Sequence, residues 1–222
     1  MKNLFNTDSK VYQWLLKFAN VFLIGICCFL LCLPIITAGA AVTAMYRMML
    51  NIRQQKPATV ALFFPAFGQD FGKSTLLWLC DLGSFGLLFA IFWILLHSAL
   101  SDIGLLLCGI PLIFLFLAWA YTFLYVFPLH ASFRNSVGKT LMSALSLAVN
   151  NRKQTVICLG FALLPVFLYL LLEEYFFVYF PFWVLILIPL IFYWQSKFFQ
   201  QVLEPYLPEE DTESPLSERE KA

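Results

Sequence analysis

Five apolar stretches, each about as long as a membrane-spanning helix, dominate this chain: residues 14–36, 75–97, 104–127, 155–172 and 180–202. A helix rises 1.5 Å per residue and the hydrocarbon core of a bilayer is about 30 Å thick, so about 20 mostly apolar residues suffice to cross it. Composition agrees. Hydrophobic residues make up 61% of the 222 and charged residues 12%, whereas a soluble domain averages about half and about a quarter. The 25 Phe exceed what one globular core of this size can hide. The expected fold is all-α, a polytopic helical membrane protein for which the lipid bilayer is the first partner. Pro111, Pro165 and Pro189 lie inside three of the stretches and read as kinks, because neighbouring groups in a bundle can satisfy the freed carbonyl.

A sixth candidate span is residues 35–52, which follows Pro34 and reads IITAGAAVTAMYRMMLNI. Small residues let membrane helices approach closely, so Pro34, Thr37, Gly39, Ala40, Thr43 and Ala44 form a candidate helix-packing motif. The alternative is a helix lying at the interface. Basic residues collect on the cytoplasmic side of membrane proteins, and the count over all 14 Lys and Arg favours a crossing. With six spans every one of them lies on or near one face, and the short exterior loops keep only Asp102, Glu173 and Glu174 as charges. With five spans, Lys2, Lys10 and Lys17 fall on the other side. Six spans with both ends inside is the expectation, five the fallback, and either topology places the C-terminus in the cytoplasm. Lys2, Lys10, Lys17 and Ala38-Gly39-Ala40 superficially spell a secretory signal, but the apolar run 18–36 is longer than a signal core.

Two connecting segments read as short interfacial helices. Residues 57–73 place Phe63, Phe64, Phe67 and Phe71 at helical spacing on one face. Residues 137–148 carry Val137, Leu141, Ala144, Leu145 and Ala148 along one stripe. Phe67-Gly-Gln-Asp-Phe-Gly-Lys-Ser74 also aligns with Phe133-Arg-Asn-Ser-Val-Gly-Lys-Thr140, which with six spans suggests a three-plus-three duplication. Gly-Lys-Ser/Thr here is not a phosphate loop, since Phe67 and Phe133 stand where the first glycine is needed. Residues 206–222 hold Pro, Ser, Thr and charge with almost nothing apolar, so a disordered acidic cytoplasmic tail is expected after a membrane domain spanning 1–205.

Catalytic chemistry finds no obvious carrier. There is no Gly-x-Ser-x-Gly and no pair of histidines four residues apart with a Glu, and His97 and His130 sit near span ends. The six cysteines fall within apolar spans, where a free Cys acts as a small hydrophobe. No enzyme, cofactor, metal site, disulfide or nucleic-acid partner is expected. Asp81, six residues into its span, is the exception: an ionisable group at that depth faces a partner or a wet cavity. A candidate intramembrane polar cluster of Asp81, Arg47, Lys197 and Asn20 is therefore expected, with Asp81 paired to Arg47 or Lys197 in the cytoplasmic half. It reads either as a packing interaction or as a proton or cation relay.

The run Leu33-Pro-Ile-Ile-Thr-Ala-Gly-Ala-Ala-Val-Thr-Ala-Met-Tyr46, with Leu4-Phe-Asn6 before it, resembles the YesL family of bacterial membrane proteins, a domain of unknown function. Phe63–Lys73 and Leu76-Leu-Trp78 are also similar, and the likeness covers about residues 1–205. The family often has an acidic residue where Asn20 stands and an Asn where Gly25 stands. It has no established catalytic residues to carry over. The resemblance implies a bacterial cell membrane and an accessory or regulatory role in carbohydrate uptake, with a permease subunit or a second copy as partner through helix 35–52. The competing expectation is a small secondary transporter or exporter using Asp81 as its relay.

Overall fold

Apolar helices longer than the bilayer is thick must bury some faces in one another and leave others to lipid, and the division here is uneven along their length. The computed structural model describes residues 10–98, 101–133, 135–171, 181 and 183–206. Among these residues eight α-helices occur in order: α1 (Lys10–Cys32), α2 (Ala38–Arg53), α3 (Val60–Gln69), α4 (Phe71–Leu96), α5 (Asp102–Ser132), α6 (Val137–Asn150), α7 (Arg152–Leu171) and α8 (Ile188–Leu203). A 3₁₀ turn, Ile35–Thr37, precedes α2, and a π-type turn, Trp183–Leu187, runs into α8. No strand occurs among the described residues. The chain is an all-α polytopic membrane protein.

Among the described residues, five segments are long and apolar enough to cross a membrane: Leu15–Cys32, Ile35–Arg53, Phe71–Leu96, Asp102–Ser132 and Arg152–Leu171. The span expected at 180–202 lies partly outside the described residues, as does the whole of the expected tail beyond Tyr206. Proline interrupts none of the described helices. α5 runs through Pro111 and Pro128, α7 through Pro165, and the π-type turn absorbs the missing N–H just before Pro189.

α2 is the centre of the bundle. Two thirds of its segment is buried, far more than in any other membrane-length helix. It packs against α1, α3, α4, α5 and α8. The small residues allow this. A Cβ on Gly39 would lie 2.5 Å from the Ser74 carbonyl oxygen and 2.5 Å from Trp78 Cβ, so α4 approaches α2 through the space glycine leaves. Ala40, Ala41 and Ala44 are buried with it. Before α2, Thr37 closes the turn: its hydroxyl donates to the carbonyl of Leu31 at the end of α1 and, at 2.9 Å, to that of Pro34. Cleavage near Ala40 would therefore remove α1 and its buried Val21, Ile24 and Cys28 from an assembled core. Gly25 on α1 makes the second close approach, since a Cβ there would meet Pro189 Cγ at 2.1 Å. An Asn at that position would not fit this arrangement of α1 and α8.

The buried residues of the other helices gather toward one end. In α4 they are Ser74, Leu77 and Asp81, all in its first half. In α5 they are Leu112 and the run from Leu124 to Ala131, and in α7 Thr155 and Cys158 in its first two turns. α4 begins, α5 ends and α7 begins where Arg47, Lys73, Lys139, Arg152 and Lys153 stand, so this is called the basic end. Away from it, α4, α5 and α7 expose Leu87, Phe89, Ile94, Leu106, Phe114, Phe167 and Leu170.

The connecting helices differ in detail from expectation. In α3, Phe63 is fully buried against α1 and α2 while Phe64 points outward, so the four Phe do not share a lipid-facing side. In α6 the inward stripe is Thr140, Ala144, Leu147 and Ala148, and Leu145 is exposed. The contact with α5 tilts the buried face toward 140 and 147 and away from 145. The repeated octapeptides prove to be a shared helix start. Ser74 N–H donates to the Asp70 carbonyl and Thr140 N–H to that of Ser136, both at 2.9 Å, and Ser74 and Thr140 are buried. The first turn leads into a 26-residue helix and the second into a 14-residue amphipathic one, so the likeness stops at the turn.

Candidate functional site

Polar side chains inside the bundle concentrate at the basic end of α2. Arg47 bridges three elements there. Its Nε donates to the Ala131 carbonyl at 3.2 Å, Nη1 to Gln69 Oε1 at 2.7 Å and Nη2 to Asp70 Oδ2 at 2.9 Å. Ala131 lies in the last turn of α5, whose carbonyls have no intrahelical partner, so the guanidinium caps α5 while holding the α3–α4 turn. Arg47 and Asp70 form an ion pair, and both side chains are largely buried.

Six residues on, Arg53 does the same toward α8. Its Nε donates to Ser196 Oγ at 2.8 Å and to the Tyr193 carbonyl at 3.2 Å, and the guanidinium carbon lies 4.3 Å from the Tyr193 ring centre. Two arginines near the end of one central helix thus tie it to opposite sides of the bundle. A planar fork of five donors suits this better than an ammonium would.

Between them the interior carries neutral polar links. Tyr46 donates from its hydroxyl to Gln195 Oε1 at 2.8 Å, and Gln195 Nε2 donates to the Cys158 carbonyl at 3.0 Å, joining α2, α8 and α7. Tyr125 and Thr155 hydroxyls are 3.0 Å apart across α5 and α7. Beside Tyr46 and Gln195 lies an almost wholly apolar cavity of about 210 Å³, walled by Phe123, Phe127, Phe161 and Phe192 among others. A more polar cavity of about 190 Å³ opens next to Arg47, lined by Asn51, Gln54, Lys56 and Ser132.

The cluster expected from sequence is not assembled. No ion pair joins Asp81 to Arg47 or Lys197. Arg47 reaches Asp70 instead, eleven residues before Asp81 and so about 16 Å nearer the basic end. Three helical turns separate the two acids, which puts both on nearly the same face, and their depth along it decides which one Arg47 meets. Lys197 is exposed on α8, and Asn20, half-buried on α1, makes no hydrogen bond with any of the three. Asp81 itself is buried, its carbonyl receiving Ser84 Oγ at 2.7 Å and Trp119 Nε1 at 3.4 Å. The packing motif does pack, but inside the chain: Gly39 against α4, Ala40 and Ala44 in the core, and Thr43 with its hydroxyl on the Gly39 carbonyl at 2.8 Å. Asp70, Arg53 and Tyr46 were not singled out by the sequence, because no spacing rule marks a polar group whose partner sits on a different element.

Comparison with known families bears on this end of the molecule. Residues 13–96 match a family described as a protein of unknown function, DUF624. DUF624 is the family that contains the YesL-like membrane proteins, so the resemblance seen around residues 33–46 is supported over this range. The DUF624 match runs from α1 to the end of α4 and includes Gly39, Arg47, Asp70 and Asp81, while their partners on α5, α7 and α8 lie beyond it. No curated protein and no solved structure matches the chain.

Proposed function

We propose that this protein is a non-enzymatic accessory subunit of the bacterial cell membrane, acting in carbohydrate uptake or its regulation by contact with a permease. The observation that carries the reading is the division along α4 and α5. Their basic-end halves are consumed by the core around α2, and their far halves stand as long apolar surfaces against which none of the described helices packs closely, apart from each other. On α4, a Cβ at Gly83 or Gly86 would meet nothing within 4 Å, which leaves room for a neighbouring helix to come close. The carbohydrate context comes from the family resemblance. The partner surface belongs on α4 and α5 and not on helix 35–52, whose small residues are already covered. The excess of basic residues at the core end orients that end, and Tyr206 beside Leu129 and Phe133 with it, toward the cytoplasm.

The test is co-purification of the tagged protein from its native membrane in mild detergent. A permease subunit that accompanies the wild type and is lost from Gly83→Leu with unchanged fold supports the proposal. Solute flux through liposomes holding this protein alone would instead establish the transporter reading, and retrieval of the protein with no permease would remove the accessory one.

A further inference from the structure

Four buried side-chain atoms among the described residues have no hydrogen-bond partner: Thr75 Oγ1, Trp78 Nε1 and both ring nitrogens of His130. Leaving such a group unsatisfied costs about 1–3 kcal/mol, and native proteins pair nearly all of them with protein or water. These four are not scattered. Trp78 packs on Phe127 and Phe123 of α5, ring centres 6.2 and 6.3 Å apart. α4 and α5 run antiparallel, so one turn toward the basic end brings Thr75 level with His130. One turn the other way is Asp81, beside Trp119 of α5. The orphaned atoms therefore line the α4–α5 seam between the Arg47–Asp70 pair and a buried carboxyl that has no ion-pair partner.

We propose that His130 passes protons between the basic end of the bundle and the carboxyl of Asp81 along this seam. A neutral imidazole holds one N–H and one bare nitrogen, so it can take a proton on one side while releasing another on the opposite side, and with both nitrogens uncommitted each is available for that exchange. The Thr75 hydroxyl accepts the released proton as it gives up its own, and water bridges the remaining distance past Trp78. The indole N–H only donates, which orients that water's oxygen and leaves its protons directed onward. The net step adds one proton to the Asp81 carboxylate, giving the neutral acid. The reverse step returns that proton. The charged groups that act on His130 are Asp70 at the α3–α4 turn, Arg47 on α2 and Lys73 on α4. Trp119 of α5 faces Asp81. This relay needs no permease partner.

The experiment is time-resolved infrared spectroscopy of the full chain in phosphatidylcholine–phosphatidylglycerol liposomes after a pH jump, following the carbonyl stretch of protonated carboxyl groups. Asp81→Asn should remove one band and so assign it. His130→Ala should slow the appearance of that band by about a hundredfold, the scale on which a positioned proton donor–acceptor contributes, and added imidazole should restore the rate. His130→Gln, which retains hydrogen bonding without relaying, should remain slow, and it carries the test if the alanine variant does not fold. A carboxyl spectrum unaffected by Asp81→Asn would overturn the proposal. So would a wild-type rate in either His130 variant, or a slow His130→Ala that imidazole leaves slow.

Discussion

The two ends of the α4–α5 pair are held together by different means. At the basic end a third helix, α2, lies against both, and contact is made by small residues, an arginine bridge and buried hydroxyls. At the far end α4 and α5 meet through rings. The Phe85 ring centre lies 4.9 Å from that of Trp119 and 6.4 Å from that of Phe116, and Phe92 lies 6.4 Å from Phe116. Lipid tails are as apolar as Leu, so nothing equivalent to the hydrophobic effect drives helices together in a bilayer, and shape and polar contacts must do it. The basic end uses both. The far end has only ring packing, and its outer faces stay open. One pair of helices thus has protein as its solvent at one end and lipid at the other.

The contrast between the ends breaks most completely at Gly39. Gly39→Leu would drive a branched side chain into the α4 backbone, where Ser74 O would already crowd a bare Cβ. The expected loss is about 3 kcal/mol or more, the upper range for overpacking, read as a collapse of the thermal midpoint in detergent and of monodisperse yield. An unchanged midpoint would mean that α2 and α4 are not packed as described.

Next in size is Arg47→Leu, which removes one donor from the Asp70 carboxylate and another from the Ala131 carbonyl together. A loss of about 2–3 kcal/mol is expected, since both partners are largely buried and a hydrogen bond to a charged group is worth more than a neutral one. Arg47→Leu with Asp70→Leu should recover part of it, because the buried carboxylate that Arg47 neutralised is gone as well. If the double variant is no more stable than Arg47→Leu alone, the pair is not what joins α2 to the α3–α4 turn.

Much of this architecture was legible in the sequence, and the failures have physical causes. Twenty-residue apolar runs announce membrane helices because no other backbone form except a closed barrel satisfies its own hydrogen bonds in lipid. The small residues after Pro34 announced close packing, and Gly39 delivers it. What spacing could not reveal is the identity of the neighbour: whether Gly39 meets a helix of this chain or of another depends on tertiary arrangement. Asp70 and Asp81 illustrate the same limit, sharing one face at different depths. His130 fits no motif in the sequence for a further reason, since its significance lies in having no partner, which no motif encodes.

A smaller effect separates the interior polar links from the arginine bridges. Tyr46→Phe removes a neutral hydrogen bond and leaves Gln195 Oε1 unpaired, for about 1–2 kcal/mol. Chemical denaturation of the reconstituted protein would measure it. An effect as large as that of Arg47→Leu would mean that the core is organised around Gln195 as much as around the charges.

The smallest change in stability should come from Gly83→Leu, and that smallness is what makes it informative. The position lies on the open part of α4, where an added Cβ meets no atom of the chain within 4 Å and the side chain would enter lipid. Stability should therefore move by no more than about 0.5 kcal/mol, as for surface substitutions away from special features. Gly39→Leu and Gly83→Leu are the same chemical change in the same pair of neighbouring helices, so their difference in thermal midpoint reports solvent alone, protein in one case and lipid in the other. If Gly83→Leu destabilises as severely as Gly39→Leu, the far half of α4 is also packed in protein, and the division between the two ends does not exist.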